Sequence, residues 1–110
     1  MGLIVFYEGN NGTQDIVQTV EDVPGQNFQP AKHEQIRSMK LYGVRQGCRI
    51  TVYDSPDGST KDDFSVVNVK RTSPEYTVDT FERSYEDETV VVSFIRINSQ
   101  DGKISRIKID

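Results

Sequence analysis

Arg49-Ile50-Thr51-Val52-Tyr53-Asp54-Ser55-Pro56-Asp57-Gly58-Ser59 is the stretch that decides the fold. Ile50 and Val52 point to one face and Thr51 and Tyr53 to the other, the two-residue period of a β-strand. The strand runs into Ser55-Pro56-Asp57-Gly58-Ser59, where every residue favours a turn. Residues 63–70 then resume a β pattern. Phe64 and Val66 share one parity, Val67 and Val69 the other. That change predicts a bulge or a strand covered on both faces.

The same grammar extends outward. Upstream, Leu3–Tyr7 is an apolar run ending in Glu8-Gly9-Asn10-Asn11-Gly12, a turn signal. Residues 14–20 form a second run with Ile16, Val17 and Val20. Residues 21–32 hold Pro24, Gly25 and Pro30 and read as a loop anchored inward by Phe28. Residues 36–42 fit a short helix or a strand; the bracketing Gly43 and Gly47 and the β-like neighbours favour strand. Downstream, Tyr76, Val78 and Phe81 mark another run after Ser73-Pro74. Residues 84–88 are polar and acidic, and residues 89–97 are the longest β run. Asp101-Gly102 makes a turn, and residues 104–109 carry a second parity break at Arg106. About eight short strands at these spacings predict a two-sheet β-sandwich.

Composition narrows the classes. The chain has 110 residues, which fits one domain, 1–110. With 13 Lys+Arg against 17 Asp+Glu the formal net charge is −4, which disfavours a nucleic-acid binder. No apolar run has the length of a membrane-spanning helix. Phe6 stands where a myristoylation motif needs Ser or Thr, and the 3–7 run is too short for a signal-peptide core. Cys48 is the only cysteine, so no intramolecular disulfide can form. Asn11-Gly12-Thr13 is a glycosylation sequon in form only. The expected location is the cytoplasm, with no membrane partner.

The two halves share a plan. A strand ending Phe6-Tyr7-Glu8 and one ending Val52-Tyr53-Asp54 each enter a Gly-containing turn. Each half later carries a polar cluster leading into a strand: His33-Glu34-Gln35-Ile36-Arg37-Ser38 and Asp101-Gly102-Lys103-Ile104-Ser105-Arg106. This arrangement resembles the βγ-crystallin family, whose domain packs two Greek-key motifs as a sandwich. Each family motif has an aromatic corner ending in glycine and a later Asn/Asp-Asn/Asp-x-x-Ser/Thr-Ser stretch. Tyr7 with Gly12 and Tyr53 with Gly58 match the corners, each without its second aromatic. The resemblance implies an all-β, two-sheet Greek-key β-sandwich, enlarged around residues 71–88.

It also implies Ca²⁺ binding, since many microbial members bind that ion through loop oxygens. The fifth position of the polar stretch supplies a hydroxyl in the family. In the first half that position is Arg37, a cation without a lone pair to give, so that site is disabled. The second half keeps Asp101 and Ser105, while Glu8 and Asp54 occupy the corners. The expected metal ligands are Glu8, Asp54, Asp101 and Ser105, in at most one weak Ca²⁺ site. Read simply as a turn, Asp101-Gly102 needs no ion.

Other constellations point away from catalysis. His33 is the only histidine, so a triad or an ordinary zinc site is not expected. No phosphate loop, nucleophile elbow or HExxH is present. Asp62-Asp63 and Glu86-Asp87-Glu88 fit solvated edges better than an acid/base pair. Tyr42, Tyr76 and Tyr85 would suit sugar stacking only if they shared a face. The expected function is a non-enzymatic structural domain. The alternative is a carbohydrate- or protein-binding module using an open sheet face or the 71–88 segment.

Overall fold

Two-residue alternation is realised as strand along the chain. A computed structural model describes residues 2–30, 36–55, 57–58, 60–97 and 104–110. Among them run ten strands: β1 Leu3–Tyr7, β2 Ile16–Glu21, β3 Gln26–Phe28, β4 Ser38–Tyr42, β5 Arg49–Tyr53, β6 Phe64–Val69, β7 Tyr76–Val78, β8 Tyr85–Glu86, β9 Val90–Ile95 and β10 Arg106–Ile109. A short 3₁₀ turn at Asn10–Gly12 is the helical element found among these residues. No helix there is long and apolar enough to cross a membrane.

The strands form two antiparallel sheets, one ordered β2-β1-β4-β7 and the other β3-β10-β5-β6-β9-β8. Their inner faces supply one core. Ile4, Phe6, Met39 and Leu41 come from the first sheet, and Ile50, Val52, Val67, Val92, Ile107 and Ile109 from the second. A strand that buries one face needs an apolar residue only at every other position. A chain that is 35% hydrophobic can therefore fill this interior.

The deciding hairpin folds as read, with Tyr53 opposite Phe64 and Ile50 opposite Val67. The parity change in β6 is not a bulge, because its register with β5 and β9 is unbroken. Ser65, Val67 and Val69 face the core. Phe64 and Val66 are half-buried on the outer face, where Phe64 stacks on Tyr53 at 5.9 Å. A register shift does occur between Phe6 and Tyr7, in the pairing of β1 with β2.

Two stretches differ from the sequence reading. The 21–32 loop contains β3, which pairs with β10 and sets Phe28 opposite Ile107. The acidic 84–88 stretch contains β8, which pairs with β9. Both are short edge strands. Their pairing is imposed by a neighbour rather than by local composition, the usual way tertiary context overrides strand propensity.

The strand orders contain an internal repeat. Replacing β1, β2, β4 and β7 by β5, β6, β10 and β3 turns one sheet into the matching part of the other. Each half therefore lends one strand to its partner's sheet. The pair β8 and β9, residues 85–95, is the addition without a counterpart in the first half.

Candidate binding cleft and the two corner loops

The inward parity of β5 continues past Val52 to Asp54. The inward parity of β6 begins before Ser65, at Asp63. Asp54 N–H donates to the Asp63 carbonyl at 3.1 Å, which extends the hairpin ladder one step past the Tyr53–Phe64 pair. Two carboxylates thus sit across from each other at the open end of the core, an arrangement that repels when both are charged.

A cleft opens there. Asp54, Asp63, Ser65, Thr80, Glu82 and Arg37 give it polar lining. Phe64, Phe81, Phe94, Val52, Ile36 and Ile104 give it apolar walls. Its enclosed part measures about 40 Å³. Asp63 is 4% exposed, and its Oδ1 accepts from Ile97 N–H at 2.5 Å, which ties down the end of β9. Ser65 is 2% exposed, and its Oγ has no hydrogen-bond partner among the described residues. Burial, then the charges of Asp63, Asp62 and Glu82, push the Asp54 carboxyl from 3.8 up to about 6. Crowded carboxylates beside a buried hydroxyl make this cleft the candidate site.

Two corner loops, one from each half, stand at this end. In the first, Ser38 is opposite Tyr7 and fully buried. Its hydroxyl donates to the Gly9 carbonyl at 2.5 Å and accepts from Gly12 N–H at 2.8 Å. Gly12 sits at φ +66, in the left-handed region that glycine tolerates. In the second loop, Arg106 occupies the place of Ser38, opposite Tyr53. That loop closes on itself: Gly58 N–H donates to the Ser55 carbonyl at 3.1 Å, and the Ser55 hydroxyl donates to Asp57.

The expected metal ligands are distributed over these loops. Ser105 N–H donates to the Tyr53 carbonyl at 2.7 Å, which sets Ser105 beside Asp54 on the adjacent strand end. Arg37 N–H donates to the Tyr7 carbonyl at 2.9 Å, the equivalent bond in the first half. Glu8 belongs to that first corner, where its carboxylate accepts from Asp15 N–H at 3.4 Å. Asp54 lines the cleft, whereas Glu8 and Ser105 do not. Asp101 and His33 lie outside the described residues. Among the described residues, no three His, Cys, Asp or Glu side chains group so as to hold a metal ion.

Sequence reasoning did not single out Ser65 or Asp63 as members of one site. The available signal was parity: each is a polar residue at an inward position of a strand otherwise filled with valine.

The remaining constellations have structural work. Asp87 accepts from Thr89 N–H at 2.8 Å and Val90 N–H at 2.9 Å, which shapes the turn before β9. Lys70 pairs with Glu86 at 2.7 Å. Tyr76 donates its hydroxyl to Asp87, and the hydroxyls of Tyr76 and Tyr85 are 3.0 Å apart. This cluster joins the β7 edge of one sheet to the β8 edge of the other. Burial and the bond to Asp87 push the Tyr76 phenol far above its ordinary value. Cys48 is fully buried, and desolvation raises its thiol, so it suits packing better than reaction.

Comparison with protein-family models, with curated proteins and with solved structures finds no match to this chain.

Proposed function

We propose that the chain is a βγ-crystallin-like pair of Greek keys that acts in the cytoplasm as a non-enzymatic structural domain, with one weak Ca²⁺ site in its second half. The reciprocal loan of β3 and β7 between the sheets carries this reading, because it makes the two halves equivalent units interlocked in one sandwich. Equivalence assigns Arg37 and Ser105 to the same position, each donating its N–H to the last carbonyl of the facing strand. A guanidinium there repels a dication, whereas a hydroxyl beside the Asp54 carboxyl offers it oxygen. Asp101 would complete that site, while Glu8 would remain with the disabled corner.

A calcium titration followed by thermal melting tests the reading. Binding to the folded state alone stabilises it by mass action, by about 2.7 kcal/mol at a hundredfold excess over Kd, and so raises the melting temperature. The rise should disappear in Ser105→Ala. No shift at millimolar Ca²⁺ would remove the ion and leave a structural domain.

A second reading, a carbohydrate- or protein-binding module, draws on the outer face of the six-stranded sheet. The Tyr53–Phe64 stack lies there, with Lys108 Nζ 5.1 Å from the Tyr53 ring. Specific hits on a glycan array would favour it over the calcium reading.

A further inference from the structure

We infer that the cleft between Asp54, Asp63 and Ser65 is a binding site for a primary alkylammonium group, held by its charge and its N–H donors. It shares Asp54 with the calcium reading but rests on the cleft, through Asp63 and Ser65, rather than on the corner motifs.

Three observations converge on that chemistry. The first is charge. Asp54 and Asp63 face each other across the hairpin, and Glu82 stands on the lining with them. Asp62 adds to the negative field at Asp54, and among the described residues Arg37 is the cation on the lining. A guest with one positive charge relieves the repulsion between the carboxylates, which a water molecule does not. The second is the Ser65 hydroxyl, almost fully buried and without a partner among the described residues. An ammonium group donates three hydrogen bonds, enough to satisfy a hydroxyl and a carboxylate together.

The third is size. A space of about 40 Å³ exceeds the roughly 10–15 Å³ needed for one water-sized group, so it admits an –NH₃⁺ head. The alkyl tail would leave along the apolar wall to which Phe81 and Phe94 contribute. A divalent metal fits less well. It wants about six to eight oxygens, and the acidic side chains of the described residues do not group around one point.

The test is an amide NMR titration of the full chain with n-butylammonium chloride at pH 7.5, against sodium chloride at equal ionic strength. The expected result is a saturable, one-site shift centred on the amides of Asp54, Ser65 and Phe81. Asp54→Asn should weaken binding by about tenfold or more, as expected for losing a charge-assisted bond. Ser65→Ala should weaken it by about threefold to tenfold. The exposed Glu82→Gln, which leaves the core untouched, should weaken it by about twofold to threefold and covers the case in which an inward variant misfolds.

The inference is overturned if no saturable shift develops by tens of millimolar. It is equally overturned if tetramethylammonium, too bulky and without N–H donors, produces the same shifts. A missing Ca²⁺ effect on melting, with butylammonium still bound, removes the calcium reading and supports the ammonium site.

Discussion

Ser38 and Arg106 hold the same place in the two halves of the molecule, each opposite the tyrosine that ends the first strand of its half. Ser38 is buried and clamps its corner loop through Gly9 and Gly12. Arg106 reaches outward to Asn27, 3.0 Å away, and the loop beside it is held by its own Ser55, Asp57 and Gly58. The strands repeat while the means of closing the loops do not. Strand order is set by many shared core contacts, whereas a loop needs only some route to satisfy its polar groups. The second half has used that freedom. Its loop runs from Asp54 to Asp63 where the first runs from Glu8 to Asp15, and the carboxylates at its two ends line or adjoin the cleft.

The widest gap between the halves should appear in the core. Phe6 and Val52 occupy equivalent inward positions on β1 and β5, and both are essentially buried. Phe6→Ala should cost about 3–5 kcal/mol and Val52→Ala about 1–3 kcal/mol, read by urea denaturation. Equal losses would show that the halves do not share one core in the way the interlocked sheets require. Ser38→Ala should cost about 2–3 kcal/mol, because it strands the Gly12 N–H and the Gly9 carbonyl in a partly buried corner. A loss under half of that would mean that water replaces the hydroxyl and that the clamp is incidental.

Asp54→Asn should act in the opposite direction. In the folded chain the carboxyl holds its proton up to about pH 6, against 3.8 ordinarily. The folded state therefore binds more protons than the unfolded state between those values, and stability falls as pH rises through that window. Above it, the native side chain carries a penalty that Asn lacks. In a dry site the shift would be worth about 3 kcal/mol, but solvent screening at this half-exposed carboxyl reduces it to about 1 kcal/mol. Asp54→Asn should be the more stable protein at pH 7 and should lose that advantage by pH 4. A variant no more stable at pH 7 than at pH 4 would mean that the carboxylates are not crowded.

Legibility differed between fold and site for a physical reason. The 49–69 hairpin was readable because its alternation and its turn residues act within a few residues of one another. β3 was not, because Gln26-Asn27-Phe28 follows a Pro-Gly pair and becomes strand only when β10 arrives beside it. The same distance effect hid the cleft. Asp54 was singled out at its corner, but Asp63 looked like solvated charge and Ser65 like an ordinary strand residue. Only the pairing of β5 with β6, capped by Phe81 from a later segment, makes them neighbours. The two-half plan was visible in Tyr7 and Tyr53, whereas the exchange of strands between sheets was not, since it depends on edges meeting in space.

The smallest expected effect separates the residue from its loop. Arg106→Ala should change stability by no more than about 0.5 kcal/mol, because a half-buried arginine whose bond goes to the exposed Asn27 amide contributes little against water. Arg106→Ser is the sharper experiment, since it places the first half's clamping residue in the second. If serine itself made the clamp, this change would raise stability by an amount comparable to the loss in Ser38→Ala. It should not, because the Gly58 N–H that a serine would need already donates to the Ser55 carbonyl, and the Ser55 hydroxyl is committed to Asp57. The stem of Arg106 also lies near Gly58, where a Cβ would come 3.6 Å from Cγ, so shortening it removes a contact without freeing a donor. Urea denaturation of Arg106→Ser beside Arg106→Ala measures the difference directly. Equal values locate the clamp in the geometry of the first loop, with Gly12 at positive φ holding its N–H toward Ser38, and a clear gain for serine would locate it in the residue alone.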